Sequence, residues 1–441
     1  MNSHLETLFE FLRFQSVSAD VAYASQVKAC AEWLKNRFQQ IGLQAELHPT
    51  PGHPVVVARN EHRPGRRTVL IYGHYDVQPP DPVEHWTTPP FEPQVRNGLV
   101  YARGAADNKG QILSHILGVA ETLREKGDLP VNLIFLVEGE EEVGSPNLGP
   151  FLKEHQEALK ADVIAISDTS LVAKGIPSFT YALRGILALE VKLIGGGTDL
   201  HSGTYGGMVA NPATMLARVV ASLHDDYFRV AVPGFYDDVA PLQEWEREGW
   251  ARLPVTDADI LAETKAYSLF GEKGYTPLER CWARPTAEVN GIGGGYQGQG
   301  SKTVIPKEAF VKLTFRLVPD QKFEDIEKKV KAHLESVCPP GLKMEITHGH
   351  GGDPFLCDPN SKDGLAARRA LARVWGREPA LIRAGGSIPI VQTFQQVLGT
   401  DVLLLGLADP DCAAHAPDES FPVENLEKGI QLNKALLEEL A

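Results

Sequence analysis

Three runs of this chain, VLIYGH at 69–74, VNLIFLVE at 131–138 and DVIAIS at 162–167, are apolar almost without a break and rich in β-branched residues. A strand with one wet face alternates apolar and polar residues, so unbroken runs belong to strands buried on both faces, as in a parallel sheet wrapped by helices. None of the three ends in an ordinary turn. The first ends in His74 with Asp76 two residues on, the second runs into Glu140, Glu141 and Glu142, and the third into Asp168. A further acid, Asp107, sits in the Gly-rich turn GAADNKG that opens the next helical stretch. Open α/β sheets gather ligands outside the carboxyl ends of their strands, so these side chains are expected to converge on one crevice. Several carboxylates in a half-buried crevice repel one another at a cost of several kcal/mol unless cations neutralise them. Imidazole plus carboxylates without thiolate suits zinc or manganese, and this many acids can hold two ions.

The rest of the chain extends the same texture. Amphipathic helices are expected over 4–16 and 25–41, the second carrying Val27, Cys30, Leu34, Phe38 and Ile41 at helical spacing. Strands at 55–58, 69–73, 131–137 and 162–167 alternate with helices at 109–124 and 147–158. The pattern then changes. Strands FTYAL and ILALEVKLI, a Gly-rich loop, a helix over 212–223, a long Pro- and acid-rich stretch, strand FVKLTFRLV, a helix over 323–337 and strand LKMEIT follow the order of a smaller α+β sandwich. From Ser361 the α/β texture resumes and runs to a terminal helix starting at Val423. The expected fold class is therefore α/β: a discontinuous catalytic domain, 1–180 and 359–441, with a mostly parallel sheet flanked by helices, and an inserted α+β sandwich at 181–358.

Composition excludes several function classes. A chain of 441 residues with 43% hydrophobic content has room for two domains and a sizeable core. No window approaches the roughly 18 consecutive apolar residues of a spanning helix, and the polar start MNSHLETLFEFL lacks a basic region followed by an apolar one, so a cytoplasmic location and no membrane partner are expected. Cys30, Cys281, Cys338, Cys357 and Cys412 are odd in number, scattered and free of CxxC spacing, which argues against both a disulfide framework and a thiolate metal site. A net charge of -14 disfavours nucleic acid as a partner. GYQGQGSKT has Ser301 between Gly300 and Lys302 and so misses the phosphate-loop spacing; GGSIP lacks the second glycine of a nucleophile elbow, and no HExxH occurs.

The residue types also suggest roles. In extended chain His74 and Asp76 point the same way, so the Asp76 carboxylate can accept the second imidazole N–H and orient the ring. Among three consecutive acids adjacent side chains diverge, so one can ligate metal while its neighbour reaches a water whose pKa a cation has lowered from 15.7 to about 7. Spacing alone leaves open which two of Glu140, Glu141 and Glu142 do so. Peptide or amide hydrolysis is the chemistry such a site performs.

HYDVQP at 74–79 matches the H-x-D-x-x-P signature of the M20 metallopeptidases, and GAADNKG, EEVGS, ISD and a late AAH follow in the family's order. With YALRG, HSGTYGG, KTVIP and GGSIP, the resemblance covers nearly the whole chain and is similar to the cytosolic dipeptidase branch, which includes carnosine and Cys-Gly dipeptidases. It implies two divalent ions, usually zinc and sometimes manganese, one held by His74, Asp107 and Asp168 and the other by Asp107, Glu142 and His415. The family's E-E-x-G-S spacing assigns the general base, acting on a water between the ions, to Glu141. The resemblance also implies that the inserted sandwich at 181–358 is a lid and dimerisation domain: His201 resembles the lid histidine that reaches across a homodimer into the partner's site, and Arg316 with the loop Gly385, Gly386 and Ser387 resembles the binders of a free carboxylate. His350, Asn290 and Thr303 carry over as further substrate contacts. Asp168 in place of Glu fits the peptidase side of the family. The implied substrate is a dipeptide or short peptide; the alternatives are an N-acyl amino acid, as in the acetylornithine or succinyl-diaminopimelate deacylases, or an inactive dimeric binding protein, against which every ligand position is filled.

Overall fold

The computed structural model describes residues 3–441. Its largest sheet has nine strands, running Gln44–His48, Val55–Arg59, Asn132–Glu138, Thr68–His74, Val163–Ile166, Val402–Leu404, Ser178–Leu183 and Phe355–Leu356, with Ala380–Ala384 also paired to Ser178–Leu183. The central four, from Asn132–Glu138 to Val402–Leu404, are mutually parallel, and the flanks add antiparallel pairings. Asn132–Glu138 and Val163–Ile166 are buried at every position, as their unbroken apolar sequence requires. Each fully buried Leu, Ile or Val there contributes on the order of 1.5–3 kcal/mol relative to exposure. Register fixes where the strands stop: His74 stands opposite Glu138, and Tyr72 opposite Ile166. The segments beyond them, carrying Asp76, Glu141, Glu142 and Asp168, therefore emerge at one level.

A second, antiparallel sheet is ordered Thr286–Gly294, Glu308–Leu317, Gly185–Ile194, Lys343–Gly352. Gly185–Ile194 alternates buried and partly exposed residues, and Leu187, Leu189, Val191 and Leu193 form a separate apolar core with Leu216 and Val219 of the helix Pro212–Ala221 and Ile326 and Val330 of the helix Phe323–Ser336. The chain leaves the first sheet at Leu183 and enters the second at Gly185, with Arg184 alone between. Any side chain at 185 would strike the returning backbone, since a Cβ there would lie 2.6 Å from the Gly352 carbonyl.

Several elements depart from expectation. The first helix ends at Leu12, short of 16. The Pro- and acid-rich stretch holds three short helices, Glu244–Ala251, Asp257–Thr264 and Pro277–Ala283, the last two opened by capping boxes from Thr256 to Asp259 and Thr276 to Glu279. Two of its tryptophans belong to the larger core: Trp250 and Trp282 meet edge to face at 5.1 Å, and Trp250 Nε1 donates to the Leu381 carbonyl at 3.1 Å. The edge strand Thr286–Gly294 was not expected, because Asn290, Gly291, Gly293 and Gly294 disfavour strands and a bulge between Val289 and Gly291 breaks the alternation.

Candidate metal centre

His74, Asp107 and Glu142 place one ligand atom each within 4.8 Å of one another. Asp107 is the pivot. Its Oδ1 lies 3.0 Å from His74 Nε2 and its Oδ2 lies 2.9 Å from His415 Nε2, so each carboxylate oxygen faces a different imidazole. Asp168 Oδ1 approaches His74 Nε2 at 3.7 Å on one side, and Glu142 Oε2 approaches His415 Nε2 at 3.3 Å on the other. Donors 2.0–2.2 Å from one tetrahedral zinc lie about 3.3–3.6 Å apart, close to these spacings, and the nitrogen and oxygen donors suit zinc or manganese. The donor set fits divalent cations on both sides of Asp107.

The scaffold around these groups is built from backbone amides and buried carboxylates. Asp76 accepts the Glu141 and Glu142 amides at 3.3 and 3.1 Å, while His74 Nδ1 lies 3.1 Å from the Asp76 carbonyl and 3.3 Å from its Oδ1. Asp76 thus orients His74 and also pins the acidic turn. Glu140 is turned away, taking both its oxygens to Asn147 Nδ2 at 3.1 and 2.9 Å. The Glu141 carboxylate has no hydrogen bond or ion pair among the described residues. His415 is presented from a loop with left-handed backbone, φ 62°, a conformation that costs a non-glycine residue of order 1 kcal/mol.

Three supporting residues escaped the sequence reading. Asn108 Nδ2 donates to the Ser167 carbonyl at 2.6 Å and to Asp168 Oδ1 at 2.8 Å, and its Oδ1 accepts the His74 amide at 3.3 Å, tying the segments that carry His74 and Asp168 together. Gln78 Nε2 donates to Glu142 Oε2 at 2.8 Å. Glu419, fully buried, accepts the Gly104, Ala106 and Asp107 amides at 2.8, 2.8 and 3.0 Å and pairs with buried Arg103 at 2.8 Å. Glu419→Ala is expected to cost about 3–5 kcal/mol of stability, because Arg103 is left as an unpaired buried charge. Metal affinity is expected to fall with it as the Asp107 turn loosens. Chemical denaturation and metal titration of the variant check both, and native stability with native affinity would contradict this role.

Without cations the cluster holds protons. Burial works to lower the His74 imidazole, but the Asp168 charge and hydrogen bonds with Asp107, Asp168 and Asp76 outweigh it and raise the ring well above its ordinary value. Hydrogen bonds with Asp107 and Glu142 push His415 up to about 10. Burial opposes ionisation of Asp107, yet its bonds from His415 and His74 prevail and hold it well below the usual carboxylate range. Burial raises Glu141, Glu142 and Asp168, reinforced in each case by repulsion from the Asp107 charge. An imidazole raised to about 10, as His415 is, carries a proton at pH 7 that it must lose to ligate, so cation uptake is expected to release protons and to weaken as pH falls. Calorimetric titration of metal-free protein in buffers of different ionisation enthalpy measures the release; none at pH 7 would contradict it.

The remaining residues singled out from sequence lie in two other places. Arg316 Nη1 donates to Ser387 Oγ at 3.1 Å, Ser387 Oγ donates to the Arg184 carbonyl at 2.5 Å, and the Arg184 amide donates to the Gly386 carbonyl at 3.2 Å. Ser387 and His350 line a cavity of about 370 Å³ that also touches Val143 and Gly144, just beyond Glu142; Asn290 and Arg316 both line a neighbouring one. His201 and Thr303 sit elsewhere on a two-stranded ribbon where His201 pairs with Val304 and the Ser202 amide donates to the Thr303 carbonyl at 3.1 Å. His201 is exposed, accepts the Gly203 amide at 3.0 Å, and has no bond to the acid cluster among the described residues.

The model of peptidase family M20/M25/M40 matches residues 70–439. The Cys-Gly metallodipeptidase of Schizosaccharomyces pombe is 34% identical over 444 residues, covering 97% of this chain and 93% of that protein. Among solved structures, an M20 family metallo-carboxypeptidase from Sulfolobus solfataricus aligns with a TM-score of 0.87 at 34% identity, over 100% of this chain and 99% of that one. Human carnosine dipeptidase 1 aligns with a TM-score of 0.82 at 31% identity, over 100% and 96%. The likeness runs through both apolar cores and through every segment that contributes an acid or imidazole to the cluster, and the chain accordingly belongs to peptidase family M20/M25/M40.

Proposed function

We propose that this metallopeptidase hydrolyses the peptide bond of dipeptides or short peptides that carry a free C-terminal carboxylate, using a centre that holds two divalent ions, zinc or manganese. The observation that carries this reading is the division of Asp107 between His74 and His415, with an unbonded Glu141 beside it. When bound, cations there supply charge that polarises the scissile carbonyl and acidifies a water. Asp107 would join the two ligand groups, His74 with Asp168 and His415 with Glu142. Glu141 takes the proton of the attacking water and delivers it to the leaving amine, so the base of the first step is the acid of the second. Arg316, steadied by Ser387, offers a guanidinium fork for the substrate carboxylate. His350, Gly386 and Asn290 lie beside that path. The names of the relatives, a Cys-Gly metallodipeptidase, a metallo-carboxypeptidase and a carnosine dipeptidase, support a peptide over an N-acyl substrate. A panel of dipeptides beside N-acetyl amino acids tests the assignment; turnover of the acyl compounds alone would overturn it.

The protein works as a homodimer in this account, each His201 serving the other subunit's site with Thr303 next to it. Support comes from the isolation of His201 from its own cluster and from exposed Tyr205, Met208 and Val209 around it, Met208 at 75% exposure. His201→Ala and Glu141→Ala, each inactive alone, are expected to recover part of the activity when mixed and allowed to exchange subunits. No recovery despite demonstrated exchange would count against a shared site. A reducing, cytoplasmic setting suits the five cysteines, all free thiols, and no helix among the described residues is long and apolar enough to cross a membrane.

A further inference from the structure

A second cavity, of about 600 Å³, is lined by residues of the strands Thr286–Gly294 and Glu308–Leu317, Arg316 and Asn290 among them, and of the helix Pro277–Ala283. Arg184, Arg280 and Arg316 border it, and none of the three has a carboxylate within ion-pair distance among the described residues. Their bonds go to neutral acceptors: Arg184 Nε to the Gly385 carbonyl at 2.9 Å, Arg280 Nε to the Glu272 carbonyl at 2.8 Å, and Arg316 Nη1 to Ser387 Oγ at 3.1 Å. The acids nearby do not answer them. Glu272 is held at both oxygens by Arg284, each at 2.8 Å, and Glu288 is exposed and forms no ion pair. In a chain of net charge -14, a concavity lined by four arginines against two glutamates, one of them already taken up by Arg284, runs against the composition. Like charges in a shared hollow repel, and an anion placed among them relieves that repulsion. Phe228 and Phe270 line the cavity as well, offering apolar surface to methylene groups.

The position matters as much as the charge. Arg184 lines this cavity and also the smaller one that leads to Val143 and Gly144 next to the metal centre. A substrate whose terminal carboxylate rests on Arg316 and Ser387 therefore has a cationic hollow open to its last side chain. Resting on the dipeptidase reading above, we propose that this hollow is a specificity pocket for a second carboxylate: the enzyme favours dipeptides ending in aspartate or glutamate, and Arg280 reads the side-chain charge.

Ala-Glu and Ala-Gln are nearly isosteric and differ in that charge, so their kcat/KM ratio on the metal-loaded enzyme is the test. The wild type is expected to favour Ala-Glu by about tenfold or more. Arg280→Gln is expected to bring the ratio toward one, and Arg280→Lys to restore part of it, which a merely structural role would not do. Good turnover of Ala-Gln with no advantage for Ala-Glu overturns the pocket and leaves the dipeptidase assignment standing. If neither peptide is cleaved while N-acyl amino acids are, the dipeptidase assignment fails and the pocket falls with it. Free glutarate separates the two sources of a carboxylate: competitive inhibition that weakens in Arg280→Gln supports a substrate side chain, whereas noncompetitive inhibition points to an independent anion site and overturns the proposal.

Discussion

Glu141→Gln is expected to lower kcat by roughly 10²- to 10⁴-fold while leaving metal content and fold unchanged. The exchange conserves shape and removes a single capability, the taking up of a proton. Nothing in the described structure depends on the charged form of that side chain, since its carboxylate has no protein partner. The turn that carries it is held instead through the Glu141 and Glu142 amides on Asp76. KM is expected to change little, because the group acts on water rather than on the ground-state peptide. Metal analysis beside steady-state kinetics decides the matter. A variant with intact metal and near-native kcat would move the base elsewhere; a variant that loses its metal would show that Glu141 is a ligand.

Asp107→Ala is expected to have the larger effect, a loss of roughly 10³-fold or more in turnover, together with loss of tightly held metal from both positions. The reason is topological. His74 and His415 are far apart in sequence, and among the described residues Asp107 is the one side chain whose oxygens touch both rings. Removing it takes one ligand from each position at once and discards several kcal/mol of cation-dependent charge stabilisation, each 1.36 kcal/mol of which is about tenfold in rate. His415→Ala, by contrast, is expected to spare the position built on His74 and Asp168. Elemental analysis after dialysis distinguishes the two variants. Equal retention of metal in both would argue that Asp107 is not shared.

The candidate cluster was legible where it depends on strand ends. His74, the acidic run at 140–142 and Asp168 follow runs whose burial on both faces dictates parallel neighbours, and parallel neighbours in register stop together; which two acids of that run act came from the family spacing alone. Asp107 could be read from the Gly-rich turn before a helix. His415 could not be read from periodicity, since its loop uses left-handed backbone at Ala413, His415 and Asp418 and follows no repeat. Only the family resemblance singled it out. Asn108 and Glu419 carried no signal of their own: each acts through side-chain bonds to segments far away in sequence, Glu419 across more than 300 residues to the Asp107 turn. Fold class followed from texture, whereas the strand Thr286–Gly294 was masked by its glycines and the short helices around Trp250 by the prolines between them. Those helices were marked in part, since T-x-x-D at 256–259 and T-x-x-E at 276–279 are capping signals.

The claim on which the rest depends is a pair of cations divided by one carboxylate. Crystals grown with zinc and measured on either side of its absorption edge would show it directly. Two anomalous peaks per subunit are predicted, flanking Asp107, one beside His74 and Asp168 and the other beside Glu142 and His415. A single peak, or peaks that leave Asp107 unligated, would contradict the account.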